Sequence, residues 1–335
     1  MTRRCVFAAV GLVLAFAASA AAQQPLQIHQ IKDNLFVLKG GGANTTVFIT
    51  STGVVVVDAK EKGNGQAVLE AVRKITDKPV TTVINTGPDA EHVGSNAEFP
   101  SGVEIVAQRN TRKRMERMGL RGRALPTRTF RKKLTLFTGT DAVDLYYFGR
   151  GHTDGDTWVV FRALGVVHIG DLFPGDDLPM LDAKSGGSAL EIGQTLENGY
   201  RRIKGATLII TAHGAERTWP ELLEYTSFNN QFVNNVWKAR QDRKSVEDVV
   251  RDWTIPPSYE KYAPIDAKRL KNNVALTFKE LDDEARALNW QPQYNVGDSY
   301  IGSRTATDAA PPPTVSTPTS APPPSPAPEP ETPGP

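Results

Sequence analysis

Thiols are almost absent from this chain of 335 residues, and its charge is nearly balanced. The single cysteine, Cys5, lies at the extreme N-terminus. The rest of the chain therefore has no disulfide, no thiolate zinc site and no cysteine nucleophile. The formal net charge is only +2, which gives no global attraction to polyanions. We expect no nucleic-acid partner.

The N-terminal segment has the composition of an export signal. Two arginines, an apolar run over 6–18 and three alanines ahead of Gln23 follow the layout of a cleaved secretory signal. The alternative is a membrane anchor, but the run is shorter than the ~20 residues that a spanning helix needs. We predict cleavage of residues 1–22 and a periplasmic or secreted protein with no stable membrane span.

The C-terminal segment has a different bias. From about Ala309 onward it is almost wholly Pro, Ala, Ser, Thr and Glu, and such a composition cannot bury enough apolar surface to offset chain entropy. We predict a disordered tail over 303–335, which is either a spacer or dispensable. The intervening length suits one large domain, predicted at 23–302, with C-terminal helices packed on it.

Positive charge is concentrated between Arg109 and Lys133. This stretch holds eleven Lys or Arg residues and a single acid, Glu116. One interpretation is a solvated basic helix and loop, and the other is a patch that attracts an anionic substrate or anionic lipid headgroups. The sequence leaves both open.

Apolar periodicity predicts a layered α/β fold. Strands are expected at Ile31–Leu38 and Thr45–Val57, and the second ends in a valine run typical of a strand buried on both faces. A helix at Gln66–Lys74 and a strand at Val80–Asn85 complete a strand–helix–strand unit. Further strands are predicted at 103–107, 134–137, 142–148, 158–161, 166–169 and 207–211, and further helices at 191–203, 219–240, 246–253 and 266–288.

Histidine is scarce too, yet three of the five histidines stand beside glycine or acidic residues at the ends of apolar runs. His92 ends the loop Thr-Gly-Pro-Asp-Ala-Glu-His, His152 lies in Gly-His-Thr-Asp-Gly-Asp, and His213 lies in Ala-His-Gly. Asp171 follows another strand in a Gly-Asp pair. Loops on a rigid scaffold are where functional groups concentrate, although a hydrogen-bonded structural histidine is the simpler interpretation of each one alone.

These segments resemble the motifs of the metallo-β-lactamase-fold hydrolases over roughly residues 28–230. The loop of that family reads Thr-His-x-His-x-Asp-His. Here Gly87, Asp89 and Glu91 replace its first histidine, its second histidine and its aspartate, while His92 is retained. The resemblance implies a four-layer αββα sandwich, of which the periodicity alone supports only a layered α/β fold.

The resemblance also implies a metal centre with two adjacent positions. The first keeps only Asp89 and His152. The second would be formed by Glu91, His92 and His213, and Asp171 is available to either position. Because Gly87 deletes a ligand outright, we predict one Zn²⁺ ion rather than two. Mn²⁺ or Fe are alternatives, since carboxylate ligands favour harder ions. The simpler role for Asp89 and Glu91 is to cap the helix that follows.

Several other residues fall near these motifs. Asp58 ends its strand where the family often has an aspartate that supports the site, and His168 is expected in the core or in a position to orient a ligand. Asp154 and Asp156 are expected to stabilise the turn around His152. The loss of a cysteine ligand excludes the branch of the family that uses one.

The implied activity is hydrolysis of an ester, lactone, thioester or amide bond in a small molecule, a β-lactam being one candidate. A metal-bound hydroxide would attack the carbonyl, and Glu91 would position or deprotonate that water as the catalytic residue. Two alternatives stay open: a non-catalytic periplasmic binding or accessory protein, suggested by Gly87 and Asp89, and a redox-active iron site. The sequence does not specify an oligomeric state.

Overall fold

The computed structural model of the chain describes residues 25–283. The chain divides into two compact units, Met1–Gln293 and Tyr294–Pro335, and every described residue belongs to the first. The signal at 1–22, the tail at 303–335 and the domain beyond residue 283 lie outside the described residues and stay predictions. Within the described range no helix is long and apolar enough to cross a membrane.

The first sheet has seven strands that lie side by side in chain order. They are β1 (Gln27–Lys32), β2 (Leu35–Lys39), β3 (Thr45–Ile49), β4 (Val54–Val57), β5 (Val80–Asn85), β6 (Glu104–Gln108) and β7 (Arg128–Phe130). The first four are antiparallel, and β4 to β7 are parallel. Helix α1 (Gly65–Ile75) connects β4 to β5, which confirms the predicted strand–helix–strand unit.

The second sheet has six strands in the order β13, β12, β11, β10, β9, β8. They are β8 (Lys133–Leu136), β9 (Val143–Tyr146), β10 (Trp158–Phe161), β11 (Val166–His168), β12 (Leu208–Ile210) and β13 (Arg217–Thr218). Only β11 and β12 are parallel, and helix α4 (Ile192–Arg202) lies between them in the chain. The remaining α-helices among residues 25–283 are α2 (Ala90–Val93), α3 (Arg109–Arg117), α5 (Trp219–Gln241), α6 (Val246–Asp252) and α7 (Ala267–Leu281).

Three apolar clusters separate four layers. Strand β4 shows why, since its alternating side chains point to opposite faces: Val55 and Val57 join the cluster between the sheets, whereas Val54 and Val56 pack against α1. Between the sheets Phe48 meets Phe161 with ring centroids 5.0 Å apart. The third cluster joins the second sheet to α4, α5, α6 and α7. The predicted αββα sandwich is confirmed.

Two of the predicted strands are each a pair of strands joined by a tight turn. The predicted strand Ile31–Leu38 breaks between β1 and β2, and Asn34 Nδ2 donates from that turn to Ile49 O at 3.2 Å. The predicted strand Thr45–Val57 breaks between β3 and β4, where Gly53 N donates to Thr50 Oγ1 at 3.1 Å. The Thr50 bond is local to its turn and competes with a continuous strand, whereas Asn34 bonds to the neighbouring strand β3. The apolar pattern of the sequence shows neither bond.

The C-terminal helices are fastened to the core by a buried carboxylate. Glu280 near the end of α7 is 2% exposed. Its Oε2 accepts hydrogen bonds from Ser188 Oγ at 3.1 Å, Ala189 N at 2.9 Å and Leu190 N at 3.2 Å. Its Oε1 lies 3.6 Å from Arg150 Nη2. Glu280 therefore joins α7 to the segment that leads into α4.

Replacing Glu280 with glutamine keeps its volume and removes its charge. We expect Glu280→Gln to lower the free energy of unfolding by about 2 kcal/mol, the usual range for buried hydrogen bonds to a charged group. Urea unfolding measures it. The matched control is Asp282→Asn, which removes an exposed ion pair with Arg240 and should cost less than about 1 kcal/mol. Equal effects of the two substitutions would contradict the role of Glu280.

Candidate metal centre

The candidate residues lie in loops that follow the carboxyl ends of strands. Asp58 follows β4, the loop from Thr86 to His92 follows β5, Asp171 follows β11, and His213 follows β12. Strands β4 and β5 are parallel, as are β11 and β12, so each pair delivers its loops to one edge, where α/β sheets place ligand sites.

The floor of the centre consists of three buried side chains in a row, Asp58, His92 and Asp171. His92 Nδ1 lies 2.8 Å from Asp58 Oδ2, and His92 Nε2 lies 2.7 Å from Asp171 Oδ2. Asp58 also accepts hydrogen bonds from Thr86 N at 2.8 Å and from Thr86 Oγ1 at 2.6 Å. Both nitrogens of His92 are thereby occupied by carboxylates, which fixes the orientation of its ring.

His168 supports this floor from below. Its Nδ1 lies 2.8 Å from Thr46 Oγ1 of the other sheet, and its Nε2 lies 3.6 Å from Asp58 Oδ2. Burial lowers the pKa of His168 to about 4, so the imidazole is neutral. The residue contacts Asp58, the supporting aspartate.

A first group of potential ligands is formed by Asp89, His152 and Asp171, called here the first half-site. Their ligand atoms all lie within 4.8 Å of one another. His152 Nε2 lies 2.8 Å from Asp89 Oδ2 and 3.6 Å from Asp171 Oδ2. The other ring nitrogen, Nδ1, lies 2.8 Å from Met180 O and donates its proton there, because a carbonyl only accepts.

A second group, Glu91, His213 and Asp171, is called the second half-site. Its ligand atoms also lie within 4.8 Å of one another. His213 Nε2 lies 3.1 Å from Glu91 Oε1 and 3.3 Å from Asp171 Oδ1. Among residues 25–283 Asp171 Oδ1 therefore makes an ion pair with His213 but no well-formed hydrogen bond. Asp171 therefore belongs to both half-sites.

The donor set fits a divalent cation. A buried carboxylate oxygen without a well-formed hydrogen bond is costly, and a cation in place of the His213 proton would bind Asp171 Oδ1 together with Glu91 and His213. Each half-site offers two carboxylates and one imidazole, all suitable ligands for Zn²⁺, Mn²⁺ or Fe. His92, which the sequence placed in the second position, lies against Asp171 Oδ2 and outside both groups.

Electrostatic coupling holds the imidazoles of the cluster in their charged form. Burial lowers the pKa of His152, but the bond to Asp89 and the charge of Asp171 outweigh it and raise that pKa to about 10. Asp171 and Glu91 raise the pKa of His213 to about 9. Asp58 and Asp171 outweigh burial and hold the pKa of His92 well above its usual value. The metal-free cluster thus matches three imidazolium groups to its carboxylates.

The loop that departs from the family pattern points into this cluster. Helix α2 begins at Ala90, yet the Asp89 side chain makes no capping hydrogen bond and instead reaches His152, so the capping role is wrong for it. A Cβ added to Gly87 would have Asp89 Oδ2 and His92 Cδ2 as its neighbours, both at 3.7 Å. The imidazole that Gly87 lacks would therefore have pointed between two of the candidate residues.

The centre opens to solvent on the side of the two substituted carboxylates. The side chains of Asp89, Glu91 and His213 are 28%, 25% and 39% exposed, whereas that of Asp171 is 3% exposed. A small molecule would approach from this side.

The basic stretch adjoins the loop that carries His152. Helix α3 opens it, and Asn110 Nδ2 and Thr111 Oγ1 donate to Asp154 O and Gly155 O at 2.8 and 2.7 Å. Arg114 forms an ion pair with Asp154. Asp156 accepts from Thr153 N at 2.9 Å, so both aspartates stabilise the turn around His152, as predicted.

Two buried polar residues near the centre were missed from the sequence. Lys60 is 0% exposed and Asn44 is 6% exposed. Lys60 Nζ donates to Leu38 O at 3.0 Å and to Ala43 O at 2.7 Å, and burial lowers its pKa to about 8. Three glycines, Gly40–Gly42, precede Asn44 in the chain. They are the one sequence signal that a special backbone lies here.

Comparisons with known proteins agree with this fold. The chain resembles the DIM-1 metallo-beta-lactamase, at 17% identity and a TM-score of 0.55, over 62% of this chain and 97% of that one. A metallo-beta-lactamase from Pontibacter korlensis matches at 16% identity and a TM-score of 0.53, over 60% and 99% of the two chains. No curated protein sequence matches the chain.

A third structure extends the likeness to more of the chain. The stereoselective inverting sec-alkylsulfatase Pisa1 from Pseudomonas sp. matches at 11% identity and a TM-score of 0.65, over 76% of this chain and 50% of that one. At such identities these structures show the fold alone. The family model of the metallo-beta-lactamase superfamily matches residues 38–213, which is more than half of the chain and includes all six candidate ligands. The chain therefore belongs to the metallo-beta-lactamase superfamily.

Proposed function

We propose that the protein is a metal-dependent hydrolase of a small molecule, with its metal held at the two half-sites that share Asp171. The observation that carries the proposal is the position of Asp171 in both groups of candidate ligands. Its buried Oδ1 lies 3.3 Å from His213 Nε2 and has no well-formed hydrogen bond among residues 25–283. When bound, the metal would supply Lewis acidity and lower the pKa of a water molecule. We also propose export, which the N-terminal composition supports.

The buried residues of the centre would position the ligands, and a partly exposed residue would take part in proton transfer. Asp58 and His92 keep Asp171 in place, and Met180 O keeps His152 in the tautomer that presents Nε2. Glu91 has a side chain that is one quarter exposed, so its carboxylate can reach the reacting water and accept its proton. Glu91 is therefore the proposed catalytic base.

The proposed metal is Zn²⁺, with Mn²⁺ or Fe as alternatives. The sequence predicted one ion because Gly87 removes a ligand. Each of the two half-sites nevertheless has three candidate donors, of which Asp171 is shared, so the structure offers a place for a second ion. Each half-site has two carboxylates, and carboxylate ligands favour harder ions such as Mn²⁺ over Zn²⁺.

The proposed substrates are esters, lactones, thioesters and amides, β-lactams included. One structural neighbour is a sec-alkylsulfatase, so sulfate esters belong in the same screen. The basic helix α3 is bonded to the His152 loop, which favours testing anionic members of each class first. A protein that binds metal and turns over none of them would support the non-catalytic alternative.

We expect the amount of bound metal to depend on the ligands of each half-site and on Asp171, which both share. Titration of the full chain with Zn²⁺ or Mn²⁺ after chelation, followed by elemental analysis, should show about two ions per chain. His152→Ala and His213→Ala should each lose one of them, because each removes the only imidazole of one half-site. Asp171→Asn should weaken both.

The control for this titration is His29→Ala, since His29 lies on the edge strand β1, away from the centre, and contacts Gln27 at 3.4 Å. It should bind metal like the unaltered chain. If the unaltered chain takes up neither ion at any concentration, the hydrolase proposal fails.

Metal binding should also release protons. At pH 7 the metal-free protein holds His152 and His213 protonated, because their pKa values are about 10 and about 9, and a metal ion requires neutral imidazole. We expect about one proton released per half-site and an affinity that rises with pH. Calorimetry at pH 7 in two buffers of different ionisation enthalpy measures the release, and identical heats in both would contradict it.

The same pKa values determine how the stability of the metal-free protein changes with pH. Both values lie above the ordinary 6.5 of histidine. The contribution of these ion pairs is fully present below about pH 6.5 and is lost as the pH rises through about 9 to 10. Urea unfolding in the presence of chelator should therefore show stability falling across that range, and the fall should be smaller in His213→Ala.

A further inference from the structure

One asparagine supplies three hydrogen bonds to the turn that carries His213. Asn44 N donates to Ala212 O at 2.7 Å. Asn44 Nδ2 donates to Thr211 O at 3.0 Å and to Gly214 O at 3.2 Å. The carbonyl groups on both sides of His213 are thus tied to a residue that lies more than 160 positions earlier in the chain.

Asn44 itself stands at the end of a loop that is fixed from beneath. Gly40, Gly41 and Gly42 have φ values of +97°, +65° and +102°, conformations that favour glycine. The ammonium group of Lys60 lies under the loop and bonds Leu38 O before it and Ala43 O after it. Burying a lysine costs solvation free energy. The two hydrogen bonds of Lys60 offset that cost and fix the two ends of the loop.

The loop also packs directly against the second half-site. A Cβ added to Gly42 would lie 3.2 Å from the Cβ of Glu91. The segment Gly40–Asn44 therefore lies against Glu91 and is bonded to the residues that flank His213. Glu91 and His213 are the two members of the second half-site that the first lacks.

His213 depends on its backbone more than the other two imidazoles do. His92 is held at both ring nitrogens, and His152 is held through Nδ1 by Met180 O. The His213 side chain is 39% exposed, and within residues 25–283 its ring bonds only through Nε2, to carboxylates that are themselves candidate ligands. The position of its ring must therefore be set by the turn.

We propose that Asn44 is a positioning residue for the second half-site: its three hydrogen bonds set the place of the His213 turn, and Lys60 secures the loop from which they come. The three hydrogen bonds of Asn44 all end on carbonyl groups of the main chain, so Asn44 acts through the backbone. The inference rests on the proposed metal-binding function, and it predicts an effect on one half-site only.

The test compares Asn44→Ala with Asn34→Ala in the full chain. Asn34 is the matched control, because its side chain also ties a turn to a distant carbonyl, Ile49 O at 3.2 Å, but far from the centre. Each protein is stripped with chelator and titrated with Mn²⁺, and electron paramagnetic resonance counts free ion. His152→Ala and His213→Ala identify which binding step belongs to which half-site.

Asn44→Ala should weaken the step that His213→Ala abolishes by about 10- to 100-fold, the usual effect of losing a group that orients a ligand. The other step should keep its affinity. Asn34→Ala should keep both steps, even if urea unfolding in chelator shows it to be equally destabilised. Such a difference between steps is not expected from a general loss of stability.

Two results would overturn the inference while leaving the proposed function intact: unchanged affinity at both steps in Asn44→Ala, or equal weakening of both. Absence of any bound ion in the unaltered chain would instead defeat the proposed function. If Asn44→Ala does not fold, Asn44→Ser keeps one side-chain donor and should show the same selective loss in smaller measure, whereas equal weakening of both steps in that variant would count against the inference.

Discussion

The centre depends on a carboxylate that is kept charged and buried. Asp171 is 5% exposed, and burial alone would raise its pKa, but the charges of His92, His213 and His152 hold that pKa well below its ordinary value. A buried charge is tolerable only with such partners. The two oxygens of Asp171 face different neighbours, Oδ2 towards His92 and Oδ1 towards His213, and the division of the centre into half-sites follows from this.

Both sheets take part in holding that carboxylate. The first contributes Asp58 and His92 from the loops after β4 and β5, and the second contributes Asp171 and His213 from the loops after β11 and β12. Thr46 of β3 meets His168 of β11 across the interface, so the apolar contact between the sheets contains one polar link directly beneath the floor. The relative position of the two sheets therefore sets the spacing of the ligand candidates.

Much of this arrangement could be predicted from the sequence, for physical reasons that differ between residues. The buried valine run of β4 and the glycine-flanked His152, Asp171 and His213 indicated strands that end in functional loops. The roles of Asn44 and Lys60 could not be predicted, because their partners are carbonyl groups that any residue could provide. The strand breaks at Asn34 and Gly53 were missed because turn bonds leave no apolar pattern.

The attachment of α7 bears on how much of the chain forms one working unit. Glu280 holds the segment Ser188–Leu190. Ser188 N in turn donates to Gly151 O at 3.0 Å, next to His152. The residues matched by the family model end at 213. Helix α7 lies beyond that limit, yet Glu280 is linked through Ser188 and Gly151 to the loop of His152, a candidate ligand. Boundaries drawn from family motifs alone would cut through the mechanical support of the first half-site.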